Sequence, residues 1–113
     1  GKLLLLNKSE EELQAYFDRN QFEAFTDHTM TTLKELKPVL EKAREEDMAF
    51  DNEECELGAK CVALPIRDYT GKTVAAMSIT GTVFKLNEEL ILRIVPQFRY
   101  CVDEISRILG YVK

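Results

Sequence analysis

Apolar positions recur along this chain at two spacings, and the change between them falls near residue 48. Before it the spacing is helical. Ser9 followed by Glu10, Glu11 and Glu12 reads as a helix N-terminus. The Ser9 hydroxyl caps, Glu12 stands at the capping-box position, and the carboxylates favour the positive end of the helix dipole. Leu13, Tyr16 and Phe17 supply the apolar stripe, and Asn20 ends it. Phe22 and Phe25 flank a polar connector through Thr26, Asp27 and His28. Thr32 with Glu35 is a second capping box, and Leu33, Leu36, Leu40 and Ala43 predict a helix to about Glu46. Pro38 lies inside it beyond the first turn, removes one backbone hydrogen bond and is expected to bend it. The opening run from Gly1 to Leu6 is apolar and uncapped, and reads as the end of a helix that starts upstream.

After Met48 the period becomes two. Val62, Leu64 and Ile66 alternate with Cys61, Ala63 and Pro65, and Ala75, Met77 and Ile79 alternate with Val74, Ala76, Ser78 and Thr80. Asp68-Tyr69-Thr70-Gly71 between them is a type I turn signal, with Gly71 able to take positive φ, so the segment predicts an antiparallel hairpin. Its register is open. A four-residue loop sets Cys61 opposite Ser78 and gathers Cys61, Ala63, Ala76, Ser78 and Thr80 on one face of small residues. A three-residue loop with a glycine bulge moves Ser78 and Thr80 to the Val62 side. The first is preferred because it sorts residues by size and polarity and leaves room for a ligand above the sheet. Asn87 then caps a long final helix from about Glu88 to Leu109. Ile91, Ile94, Phe98, Val102, Ile105 and Leu109 form its buried stripe, Pro96 is expected to kink it, and Gly110 stops it.

Composition sets the bounds. The 113 residues predict one domain, and 45% hydrophobic content suffices for a core. With 15 basic and 20 acidic residues the formal charge is −5, and no Lys/Arg cluster stands out, which disfavours a grip on nucleic-acid phosphates. The longest apolar run, Leu3 to Leu6, is far short of a membrane span. Cys55, Cys61 and Cys101 are odd in number and lack CxxC spacing, so reduced thiols in a cytoplasmic protein are the simplest account. The chain starts at Gly1 and reads as an excised piece of a longer protein.

Each candidate chemistry has a plainer counterpart. Cys61 with His28 could make a nucleophile pair, but nothing in the spacing brings them together, and buried structural thiols are common. Cys55, Cys61 and His28 lack the spacing of a metal site. Asp51, Glu53, Glu54 and Glu56 crowd four carboxylates into six residues without the glycine of a calcium loop. Glu53, Glu54 and Glu56 therefore read as a solvated strand edge. Ser78 and Thr80, two apart on a strand, point the same way beside Gly81. They suit a small polar ligand, or bonding to neighbouring backbone.

The order of residues is more specific than their types. Phe50 to Ala63, FDNEECELGAKCVA, is similar to the signature of the effector-binding domain of IclR-type bacterial transcription regulators. Pro65 to Gly71 resembles that family's turn, Ala75 to Gly81 its ending strand, and Glu104 to Tyr111 its final helix. Gly1 to Leu5 resembles its glycine-lysine helix. The resemblance implies a GAF-like α+β domain, with a cupped pocket on one face of a curved antiparallel sheet and helices on the other. It implies a sensor without catalysis, cofactor or metal, which binds a small organic or sugar acid and signals to a winged helix-turn-helix missing from this chain. DNA contact would come only through that missing domain, and self-association as a homodimer or tetramer is expected. By carry-over the effector is contacted by Asp51, Cys61, Ser78 and Thr80.

The chain also departs from the family pattern. Asp47 stands where a glycine is usual between helix and strand, Thr80 where serine is usual, and Thr82 where proline follows Gly81. Asp tolerates a left-handed conformation. The alternatives are a cysteine-dependent enzyme using Cys61 and a dimerisation domain with a vestigial pocket. The whole chain, 1–113, is thus expected to be the later part of one effector-binding domain, with one strand edge exposed.

Overall fold

The computed structural model describes residues 2–112. The order of elements is a 3-10 helix Lys2–Asn7, α1 Glu10–Arg19, α2 Leu33–Glu46, β1 Ala49–Asn52, β2 Ala59–Arg67, β3 Thr73–Thr82 and α3 Glu88–Ile108. The opening run is a 3-10 helix, and Gly1 lies outside the described residues.

The caps explain where α1 and α2 begin. Ser9 accepts from the Glu12 N–H at 3.2 Å, and the Glu12 carboxylate accepts from the Ser9 N–H at 3.1 Å. Thr32 likewise accepts from the Glu35 N–H, but here the Thr32 hydroxyl itself donates to the Glu35 carboxylate. Leu13, Leu36 and Leu40 bury together with Leu5, Leu6 and Phe17 against them. α2 passes Pro38 without interruption and ends at Asp47, whose φ of 57° is left-handed and whose N–H returns to the Ala43 carbonyl. The Asp at a usual glycine position is thus accommodated.

β1, β2 and β3 form one antiparallel sheet in that order. Directly opposed residues share a face. Val62, Leu64, Ile66, Phe50 and Ile79 face α3, which buries Ile91, Phe98 and Val102 against them. On the other face Leu3 of the 3-10 helix is buried with Ala43 and Ala49, and Ala63 packs against them. Helical structure therefore covers both faces of the sheet, not one as expected.

The hairpin register differs from the preferred one. Cys61 opposes Thr80, Ala63 opposes Ser78, and Pro65 opposes Ala76. Two steps make the difference: Arg67 pairs with Thr73, so the loop runs from Asp68 to Lys72, and a bulge that skips Val74 pairs Ile66 with Ala75. The Gly71 N–H bonds the Asp68 carbonyl at 3.0 Å, and Gly71 takes φ 81°. A displacement of two residues preserves the side-chain faces, so the small-residue face survives.

α3 begins as expected, with the Asn87 side chain accepting the Leu90 N–H at 2.9 Å. Its buried stripe ends sooner than the spacing predicts. Leu109 lies past the last helical residue and is 43% exposed. Ser106 is buried instead, because its hydroxyl accepts the Arg67 N–H at 3.0 Å. Gly110, at φ 93°, ends the helix. A Cβ there would also meet the Tyr69 Cβ at 3.0 Å.

Candidate functional site

The face opposite α3 carries short side chains. Ala49 lies opposite Ala63 and Asp51 opposite Cys61, while Ala76 and Ser78 continue the same face on β3. Short side chains leave space above a sheet that longer ones would fill. The 3-10 helix stands beside that space, and Leu3 forms part of its wall. The result is a cavity of about 340 Å³.

Asp51, Cys61 and Ser78 all line this cavity. The structure thus brings together three of the four expected residues. Thr80 faces Cys61 across the strands but is exposed and is not among the lining residues. The Asp51 carboxylate accepts the Glu54 N–H at 3.0 Å, which ties the strand to the loop that follows it.

Two lining residues escaped the sequence reading. Lys2 and Glu54 form an ion pair at the cavity wall, with side chains 18% and 13% exposed. The Lys2 ammonium also donates to the Phe50 carbonyl at 2.6 Å. Glu54 further accepts the Asn52 N–H at 3.2 Å. Lys2 and Glu54 are 52 positions apart, and no local spacing announces the pair. Lys2 belongs to the glycine-lysine segment of the resemblance, which was the one available signal.

The carboxylate run is correspondingly not a solvated edge throughout. Glu56 is exposed as expected, but Glu53 and Glu54 are not. Glu53 adopts φ 59°, and its carboxylate accepts the Gly58 N–H at 2.9 Å. The hydroxyls of Thr26 and Thr29 donate to the carbonyls of Glu53 and Glu54. These bonds anchor the polar connector to the loop, a tertiary use that composition conceals.

His28 is exposed in the connector and does not line the cavity. Cys55 and Cys101 are exposed, and the three thiols are free. Among the described residues no group of three His, Cys, Asp or Glu side chains could hold a metal ion, and no helix is long and apolar enough to cross a membrane. What the cavity offers is hydrogen bonding beside an apolar wall. One ammonium, two carboxylates, a thiol and a hydroxyl face a space that fits a small molecule.

Comparison with known proteins places this arrangement. The family model of the bacterial transcriptional regulator IclR C-terminal region matches residues 1–107. The chain is 32% identical over 111 residues to the HTH-type transcriptional regulator KdgR of Escherichia coli K12, a match covering 98% of this chain and 42% of the relative. The chain therefore spans less than half the length of that relative. Among solved structures, the C-terminal domain of E. coli KdgR superposes with a TM-score of 0.89 at 31% identity, covering 97% of this chain and 67% of that one. The Thermotoga maritima IclR superposes with a TM-score of 0.87 at 40% identity, covering 97% of this chain and 44% of that one. The expected α+β, GAF-like class is thus the observed one, and the relatives are regulators rather than enzymes. By sequence and by fold, the chain belongs to the IclR-type bacterial transcriptional regulators, as part of their C-terminal domain.

Proposed function

We propose that this domain senses a small hydroxylated acid on behalf of a DNA-binding regulator. The effector binds above the sheet, held by Asp51, Cys61 and Ser78, with Thr80 at the margin. The observation that supports this most directly is the convergence of Asp51, Cys61 and Ser78 on one cavity of about 340 Å³. That volume lies at the low end of the roughly 300–1,000 Å³ usual for ligand pockets, which favours a small metabolite. An ionised Asp51 only accepts hydrogen bonds. It repels a carboxylate and attracts a ligand hydroxyl, so the effector carries a hydroxyl beside its acid group. Lys2 supplies the charge that compensates the acid. Occupancy is passed to an N-terminal winged helix-turn-helix in the intact regulator, whose subunits assemble as a dimer or tetramer.

A thermal-shift screen of small organic and sugar acids on the full-length regulator tests this reading. A specific effector at a hundred times its dissociation constant stabilises by about 2.7 kcal/mol. Absence of any shift across the screen counts against a sensing role. A follow-up compares a bound hydroxy acid with its deoxy analogue. Equal affinities would remove Asp51 from the site.

A further inference from the structure

A second cavity, of about 260 Å³, lies between the 3-10 helix, α1 and the connector. Its walls include Leu5, Tyr16, Phe17, Phe22 and Met30. The Phe17 and Phe22 rings pack in a tilted pair at 4.6 Å between centroids, and the Tyr16 ring lies 5.7 Å from that of Phe22. These side chains are only half-buried. Residues of core type that leave a face toward a cavity offer an apolar compartment. Lys2 and Glu54 line this cavity as well as the cup over the sheet.

From this shared wall we infer that the two cavities are compartments of one binding site divided by the Lys2–Glu54 pair, and that the ligand is a 2-hydroxy acid with an apolar tail. The inference rests on the reading that the cup binds an effector, and it names the chemical class. An ammonium has three donors, and two of those on Lys2 go to Phe50 and Glu54. The third is free for a ligand carboxylate at the divider. The Lys2 charge is already desolvated and held in place, which lowers the cost of fixing it on binding. A 2-hydroxy acid carries three groups on one carbon. Its carboxylate meets Lys2, its hydroxyl enters the cup toward Asp51, and its tail enters the compartment of Phe22 and Met30. Glu54 competes with the ligand for Lys2 and repels it, so this pair sets selectivity as well as forming the wall.

The test uses lactate and phenyllactate on the full-length regulator, with the methionine methyl groups labelled for NMR. Met30 lines the second compartment. Met48 and Met77 belong to the sheet region away from it and serve as controls. Phenyllactate is expected to bind at least tenfold more tightly than lactate and to shift the Met30 methyl signal while Met48 and Met77 stay in place. Glu54→Gln is expected to tighten both acids, and Phe22→Leu to reduce the advantage of phenyllactate without weakening lactate. The Met30 signal needs no variant, so a poorly folded substitution does not blunt the test. Equal binding of both acids with Met30 unmoved overturns the second compartment and leaves the cup intact. Binding of neither acid, where the metabolite screen finds another effector, overturns the ligand class while the sensing role stands.

Discussion

Asp47 carries more than one task for a single residue. It takes the left-handed conformation that ends α2, and its carboxylate pairs with both Arg67 and Arg99. Hydrogen bonding to Asp47 holds the Arg67 guanidinium above its usual range. The two tasks separate by substitution. Asp47→Gly keeps the backbone conformation and removes the partly exposed ion pairs, so its loss is about 1 kcal/mol or less per pair. Asp47→Ala adds the left-handed penalty, about 1–2 kcal/mol more. Urea denaturation of both variants reads the difference, and equal stabilities would show that the conformation is not strained for alanine. At the cavity, Ser78→Ala and Thr80→Val each remove a hydroxyl at little change in volume. The fold is expected to persist and effector affinity to fall by about 1 kcal/mol, the usual scale of one hydrogen bond. Thr80, at the margin, should show the smaller effect by titration calorimetry. Loss of stability in both variants with effector affinity unchanged would make the hydroxyls structural.

Among the elements, α3 meets β2 through an apolar interface that also holds a side-chain-to-backbone hydrogen bond. Ser106 is 2% exposed and accepts the Arg67 N–H. Ser106→Ala leaves that N–H without its acceptor and is expected to cost about 1–3 kcal/mol, measured as a shift in the denaturation midpoint. A neutral result would mean that water replaces the hydroxyl. The cap of α1 predicts a pH effect. Ser9 bonding, through its backbone N–H first, holds the Glu12 carboxyl below its ordinary value of 4.5. A carboxyl whose pKa is lowered by folding stabilises above the unfolded value. That contribution is therefore complete above about pH 4.5 and is lost as pH falls through the lower folded value. Glu12→Gln should flatten this part of the acid limb in thermal melts between pH 3 and 6, values chosen to span roughly the ordinary carboxylate range. An unchanged slope would remove the cap from the acid response.

For the whole molecule, the sheet edge decides behaviour in solution. Among the described residues β3 has a strand neighbour on one side only. Near its start the Asn7 side chain acts as a small substitute strand: its amide donates to the Thr73 carbonyl at 2.7 Å and accepts the Thr73 N–H at 3.3 Å. Beyond that point Ser78 and Thr80 lie on a strand with one open side, and open edges pair with other chains. The chain by itself is therefore expected to self-associate, as a symmetric dimer in the simplest case. Light scattering over a range of protein concentrations checks this. A strictly monomeric species with full ligand affinity would show that neither strand addition nor assembly completes the site.

Local chemistry was enough for the α-helices and for the hairpin's faces, but not for the short strand Ala49–Asn52 or the 3-10 form of the opening run. Ser9, Thr32 and Asn87 cap helices because their side chains sit within reach of backbone N–H groups three residues on. Alternation placed Cys61, Ala63, Ala76 and Ser78 on one face, since strand side chains alternate whatever their partners. The family was legible because an ordered run of residues such as Phe50 to Ala63 carries more information than composition. What tertiary structure decided were choices between states that look alike locally. A longer loop and a bulge at Val74 together set Cys61 against Thr80 instead of Ser78, and local patterning could not tell these registers apart because a shift of two residues keeps the same faces. Ser106 displaced Leu109 from the buried stripe because an N–H on another element needed an acceptor. The Lys2–Glu54 pair joins positions 52 residues apart, and only packing of the 3-10 helix beside the sheet brings them together. Ion pairs and cavity walls are set by distance in space, which hydrophobic period and spacing along the chain do not encode.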